Sequence, residues 1–282
     1  MSKGKRTSSK DGSRIRHLYS ETRSLINSNP IEMKIIIFSD VHGNLEALHS
    51  VFSFIEEYPD ARIYSLGDIV GYGPNPRECI WEVSKTVHES LAGNHDHAVI
   101  GLTSIRYFNP YARAAVIWTS NCLDEMDRSY LLGLPVYKRL NNMIFMAHSS
   151  PLEPEQWHYI MSIDDARRNF PFFKEHLCFI GHSHSPLTIG LSPDGKVFQE
   201  DNEIVQIKEE NRYIINVGSI GQPRDGDWRA CLVLYDDESH ILEFKRLEYD
   251  VRATRTKILK NDFNGSFFGW MIPCCYLNFL FG

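Results

Sequence analysis

The sequence predicts a layered α/β domain, on three observations. Between residues 33 and 250, short apolar runs, several rich in β-branched residues, alternate with amphipathic segments of helical period. The 282 residues, 43% hydrophobic and 23% charged, suffice to bury a large core in one domain or slightly more. Six of the apolar runs stop abruptly in clusters of Gly, Asp, Asn and His, as strands do where they meet a ligand crevice.

Taken in order, residues 33–39 read as a first strand. A helix follows, with Leu45, Leu48, Val51, Phe52 and Ile55 on one face and Asn44 placed to cap it. Residues 61–66 form the next apolar run. Asn75, Pro76 and Glu78 then give an N-terminal helix signal ahead of Cys79, Ile80, Val83 and Val87. After the run 90–92, residues 110–131 read as helical, and 143–147, 177–180 and 213–215 as further strands. Residues 229–235 and 241–249, joined by a polar turn, make a hairpin, and 251–260 a short helix.

The flanks differ from this domain of residues 33–260. Residues 1–30 carry seven Lys or Arg against Asp11 and Glu21, whereas the rest of the chain holds 23 basic and 34 acidic residues. Residues 1–32 are therefore expected to be a disordered basic tail. Residues 263–282 contain no charge, and 13 of the 20 are apolar. Gly265, Gly269, Pro273 and Asn278 interrupt that stretch, leaving no unbroken span of the roughly 20 apolar residues a bilayer requires. Segment 261–282 is expected to pack on the domain, to bind a partner or to be a divergent end of the chain, and a membrane is not expected as a partner. A net charge of −6 argues against nucleic acid as the main partner. Six cysteines without a C-x-x-C pair or a secretory signal point to free thiols in a reducing, cytoplasmic setting.

The chemistry stands at the strand ends. Run 33–39 ends in Asp40-Val41-His42-Gly43-Asn44, run 61–66 in Gly67-Asp68, and run 90–92 in Gly93-Asn94-His95-Asp96. Run 143–147 ends in His148, run 177–180 in Gly181-His182-Ser183-His184, and run 213–215 in Asn216-Val217-Gly218-Ser219. Singly, each histidine reads as a hydrogen-bonded core residue, and His17, His49, His88, His97, His158, His176 and His240 keep that reading. Jointly, Asp40, His42, Asp68, Asn94, His148, His182 and His184 form an oxygen and imidazole donor set without thiolate. Such a set suits two borderline divalent ions among Mn, Fe, Ni, Co and Zn. Seven ligands exceed what one ion takes. With one carboxylate bridging, two ions about 3.5–4 Å apart each receive four.

In this order the blocks Asp40-x-His42, Gly67-Asp68, Gly93-Asn94-His95-Asp96, His148 and Gly181-His182-x-His184 resemble the calcineurin-like metallophosphoesterase superfamily. Gly71-Tyr72-Gly73-Pro74-Asn75-Pro76 and Gly221-Gln222-Pro223-Arg224-Asp225 are similar to its compact, prokaryotic-type phosphodiesterase branch. The resemblance implies a four-layer α-β-β-α sandwich of two mixed sheets, which alternation alone does not distinguish from a single-sheet fold. It implies one ion on Asp40, His42, Asp68 and His184 and another on Asp68, Asn94, His148 and His182, with Asp68 bridging. It implies hydrolysis of a phosphate ester or nucleotide by water activated between the ions, attacking in line, with His95 as general acid and Asp96 orienting it. Asn44 reads as helix cap, as phosphate contact, or as both. Arg224 reads either as a phosphate clamp or as the ion-pair partner of Asp225 or Asp227. Tyr72, Phe108, Tyr111, Trp118 and Trp157 could stack on a base, although core packing explains such aromatics as well. The same blocks also serve protein phosphatases, dinucleoside-polyphosphate hydrolases and a catalytically silent protein-binding scaffold. Complete ligands with a retained His95 favour an enzyme over the scaffold, and among the enzymes, where a phosphodiesterase is the leading reading, the substrate pocket and not the metal site separates the alternatives.

Overall fold

The structure is a computed structural model that describes residues 34–260, so the expected basic tail of residues 1–32 and the apolar segment 261–282, with Cys274 and Cys275, lie outside the described residues. In chain order the elements are β1 (Lys34–Phe38), α1 (Leu45–Ile55), β2 (Arg62–Ser65), α2 (Pro76–Thr86), β3 (Glu89–Ser90), α3 (Asn94–Val99), α4 (Pro110–Cys122), α5 (Glu125–Leu132), β4 (Tyr137–Leu140), β5 (Ile144–Ala147), α6 (Ile163–Asn169), β6 (Leu177–Ile180), β7 (Leu187–Leu191), β8 (Val197–Glu200), β9 (Ile204–Gln206), β10 (Arg212–Asn216), β11 (Ala230–Asp236), β12 (Ile241–Leu247) and α7 (Val251–Lys260).

The strands form two six-stranded mixed sheets, β3-β2-β1-β11-β12-β9 and β4-β5-β6-β10-β7-β8. In the first, β1, β2 and β3 run parallel and β11 turns antiparallel to β1, pairing Ile36 with Leu234. In the second, β5, β6 and β10 run parallel. Side-chain alternation along each central strand explains the layering. Ile36 and Phe38 face a core shared with α1, α2 and α4, whereas Ile35 and Ile37 face Leu177, Phe179, Tyr213 and Ile215 of the opposite sheet. On the far side of the second sheet, Cys178, Ile180 and Ile214 pack on Ala166, Phe170 and Phe173. The result is the expected α-β-β-α order of layers.

The sequence reading omits strands β4, β7, β8 and β9 and helices α3 and α6, and the structure alters it in two further places. The helical stretch 110–131 is two helices, because Asp124 accepts from the backbone of Met126 and Asp127 and opens a new helix with a capping box. Asn75 occupies the N-cap position of α2 without capping it. Its side chain instead donates to Glu78 at 3.1 Å and accepts from Lys257 at 3.1 Å. Cys79, Cys178 and Cys231 are buried free thiols, and Cys122 is half-buried. Among the described residues no helix is long and apolar enough to cross a membrane.

Candidate metal centre

Both parallel triplets deliver their C-terminal ends to one place. Loops after β1 and β2 carry Asp40, His42 and Asp68, the first residue of α3 after β3 is Asn94, and loops after β5 and β6 carry His148, His182 and His184. Backbone bonds sew the loops together within each sheet, His42 N to Asp68 O at 2.9 Å in the first and Gly181 N to His148 O at 2.8 Å in the second, and between the sheets, Gly221 N to Asp40 O at 2.9 Å. Asp40, His42, Asp68, His182 and His184 adopt left-handed backbone conformations, with φ between 49° and 67°. Each such residue costs roughly 1–2 kcal/mol, a strain tolerated where the surrounding structure over-determines the geometry.

Tight packing rather than backbone freedom explains the glycines at two loops. A Cβ on Gly93 would lie 2.1 Å from Asp68 Oδ1, and one on Gly181 would lie 2.1 Å from Ser39 Oγ and 2.6 Å from Asp40 Oδ2.

The imidazoles are oriented by main-chain carbonyls. His42 Nδ1 faces Val70 O at 3.1 Å, His148 Nδ1 faces Leu66 O at 3.0 Å, and His184 Nδ1 faces Gln222 O at 2.6 Å. His182 uses its other nitrogen, with Nε2 facing Trp157 O at 3.0 Å. A carbonyl only accepts, so each of these nitrogens carries the proton, and the lone pairs of His42 Nε2, His148 Nε2, His184 Nε2 and His182 Nδ1 are left for the site. The carboxylates behave likewise. Asp40 Oδ2 accepts from His182 N at 3.0 Å and Asp68 Oδ1 from His95 N at 2.8 Å, leaving one oxygen of each.

The remaining donors converge. His184 Nε2 lies 3.2 Å from Asp40 Oδ1, and His148 Nε2 lies 3.3 Å from Asp68 Oδ2. His42 Nε2 is 3.7 Å from both Asp40 Oδ1 and Asp68 Oδ2 and only 3.1 Å from His184 Nε2. Three overlapping triads have ligand atoms within 4.8 Å of one another: Asp40 with His42 and His184, His42 with Asp68 and His95, and Asp68 with His148 and His182. Asp40 Oδ1, Asn94 Oδ1 and His148 Nε2 are buried without a hydrogen-bond partner. Two imidazole lone pairs facing at 3.1 Å and three orphaned donors beside two buried carboxylates call for positive charge, and divalent cations fit this donor set.

The electrostatics point the same way. Burial would raise the Asp40 carboxyl, but the facing His184 and His148 outweigh it and hold the group well below the usual range, and His148 does the same for Asp68. Burial opposes charge on His148, yet the Asp68 and Asp40 carboxylates win and lift it to about 9. A proton there does the work a cation would do.

His95 and Asp96 sit at the start of α3. The His95 ring packs against His42, Tyr72 and Phe108, its Nδ1 is buried without a partner, and burial pulls it down to about 4. Asp96 does not touch that ring. Its oxygens accept from Val70 N at 3.1 Å and Gly93 N at 2.9 Å, so it fastens the loop, because consecutive helical residues do not face each other. Burial, with Asp68 adding to it, raises Asp96 to about 7.

Asn44 and Arg224 occupy different positions. Asn44 is buried, capping α1 through Ala47 N at 3.2 Å, donating to Gly221 O at 3.0 Å and accepting from Thr254 at 3.1 Å. Arg224 is exposed and donates to Gln222 at 2.7 Å. The ion pair weighed for it is not formed among the described residues, since Asp225 pairs with Arg246 and Asp227 with Arg229. Its charge instead bears on Tyr72, Tyr159 and His95 at the rim of the site.

A cavity of about 670 Å³ opens beside the donors, with Asn94, His95 and His182 in its wall. Tyr72, Phe108 and Trp157 line it, whereas Tyr111 and Trp118 do not. Residue-type reasoning missed Tyr159, which stacks on His182 with ring centres 4.0 Å apart, and the carbonyls of Leu66, Val70, Trp157 and Gln222. A backbone carbonyl leaves no trace in a residue type, and a lone tyrosine 23 positions before its partner carries no spacing signal.

The sequence model of the calcineurin-like phosphoesterase family matches residues 33–217, a span that holds all seven candidate ligands with His95 and Asp96. A metallophosphoesterase from Sphaerobacter thermophilus is 38% identical in a match covering 85% of this chain and 98% of that one, with a TM-score of 0.72. An uncharacterized protein of Methanocaldococcus jannaschii is 36% identical over 236 residues, covering 82% of this chain and 94% of its own length. A hypothetical protein from Pyrococcus horikoshii OT3, 21% identical, shares the fold with a TM-score of 0.65 over 82% of this chain and 94% of its own.

Proposed function

The chain belongs to the calcineurin-like phosphoesterase family, and from that premise we propose that it is a phosphodiesterase working with two divalent cations on small phosphodiester or nucleotide-like substrates. The observation that carries this reading is the convergence of unspent donor atoms from five strand ends, the imidazoles and carboxylates among them each fixed by a partner behind it. Asp40, His42, Asp68 and His184 would hold one cation and Asp68, Asn94, His148 and His182 the other, drawn from Mn, Fe, Ni, Co or Zn. Bound there, the cations supply Lewis acidity, lowering the pKa of water and neutralising charge on phosphoryl oxygens.

The chain's own residues do the rest. His95, its ring beside Asp68 and its Nδ1 untied, is assigned proton delivery to the leaving oxygen. Burial holds it neutral, so it takes up that proton only when a phosphate anion lies beside it. Arg224 at the rim is suited to hold a non-bridging phosphate oxygen. Asp96 fastens the loop that presents Asn94 and His95. The cavity beside His95 gives room for a second ester substituent, which supports a diester over a monoester.

The test is turnover by chelator-treated protein reconstituted in turn with Mn, Fe, Ni, Co and Zn, comparing bis(p-nitrophenyl) phosphate with p-nitrophenyl phosphate. Metal-dependent turnover with the diester preferred is expected. Absence of turnover with any of the five metals, or preference for the monoester, contradicts the reading.

A further inference from the structure

The cavity beside the metal centre has a composition that the ligand set does not require. Five aromatic side chains line it: Tyr72, Tyr107, Phe108, Trp157 and Tyr159. Two are left strongly exposed for rings of their size, Tyr107 at 87% and Tyr159 at 50%. Rings left in water around a concavity mark a surface that a ligand covers.

The walls are also held in place before anything binds. Tyr159 lies nearly parallel to His182, with an interplanar angle of 14°. Trp157 is pinned at both ends, its indole Nε1 donating to Thr103 Oγ1 at 3.2 Å and its carbonyl accepting from His182 at 3.0 Å. The Arg106 guanidinium sits against the Tyr107 ring, 5.8 Å from its centre.

Charge narrows the occupant further. No Lys or Arg lines the cavity among the described residues, and its one carboxylate is Glu155. The nearest guanidiniums, Arg106 against the Tyr107 ring and Arg224 toward Tyr72 and Tyr159, stand outside the lining, whereas a flat neutral ring finds stacking partners and an acceptor for its amino groups in the lining itself. Its volume falls in the range of small-ligand sites, about 300–1,000 Å³.

We infer that this cavity seats the nucleobase of a nucleoside ester whose single phosphate lies at the metal centre, with Tyr107 as a stacking wall. The position of the phosphate rests on the phosphodiesterase reading above. The substrate class is thereby a nucleoside phosphodiester, in place of a phosphopeptide.

Calorimetric titration of the manganese-loaded protein with adenosine 5′-monophosphate and with ribose 5-phosphate isolates the base, because the two share the sugar and the phosphate. The nucleotide is expected to bind about tenfold or more tightly than the sugar phosphate, as base stacking on aromatic rings allows. Tyr107→Ala is expected to remove most of that ratio and Tyr107→Phe to keep it; the exposure of Tyr107 spares the fold. Equal affinities for the two ligands, or a ratio untouched by Tyr107→Ala, overturn the inference. A base-dependent ratio that Tyr107→Ala removes, in a protein that hydrolyses no diester, contradicts the proposed reaction and leaves the base site standing. Diester turnover without a base-dependent ratio does the reverse.

Discussion

Every candidate ligand but Asn94 spends one side-chain atom on the protein and keeps one for the site. His148 shows the arrangement most plainly, with Nδ1 on Leu66 O and Nε2 buried, unpartnered and 3.3 Å from Asp68. Because His148 is lifted to about 9, it carries a proton at pH 7 that an arriving cation must expel. Manganese added to metal-free protein in weak buffer at pH 7 is thus expected to release protons, with affinity falling as pH is lowered from 9. Metal binding without proton release contradicts that assignment. His95→Asn is expected to slow diester turnover by about 10²–10⁴-fold, the usual scale for a general acid. Its metal content should stay unchanged by elemental analysis, whereas a loss of metal would recast His95 as a ligand. Gly93→Ala drives a methyl group into Asp68 and is expected to lower both metal content and turnover.

At the scale of elements, the site is a property of strand ends and of the helix starts beside them. Asn44 illustrates how the two are joined, since its side chain ties the first turn of α1 to Gly221 on one side and to Thr254 of α7 on the other. Asn44→Ala is expected to cost about 1–2 kcal/mol in urea unfolding, as lost caps do. Affinity for inorganic phosphate should move less than twofold, and a large loss of affinity with stability intact would make Asn44 a phosphate contact instead. Much of this level is legible in sequence, because a buried run that halts at Gly67-Asp68 or Gly181-His182 is hard to explain except as a strand meeting a crevice. The break at Asp124 is not, since apolar residues continue helical spacing on either side of it. Nor is the role of Asp96: adjacency to His95 suggests a partnership, but successive residues of a helix diverge, and its oxygens turn to Gly93 and Val70.

The molecule as a whole is two sheets, the first contributing four of the seven candidate ligands and the second three. The helix-covered and sheet-covered faces of β1 are both apolar, so Ile35, Ile36, Ile37 and Phe38 read as one continuous run, and nothing in them says whether the second cover is helix or strand. The α/β class therefore follows from alternation, and the second sheet only from the ordered ligand blocks. Since the cations would cross-link loops from both sheets, chelation is expected to abolish turnover and lower the melting temperature while far-UV circular dichroism is retained. A melting temperature indifferent to chelator would place any metal outside the sheet junction. The most direct measurement is anomalous diffraction at the manganese edge from crystals of the reconstituted protein. Two peaks flanking Asp68, one beside Asp40, His42 and His184 and the other beside Asn94, His148 and His182, are expected. A single peak, or none within reach of Asp68, would contradict a two-cation centre.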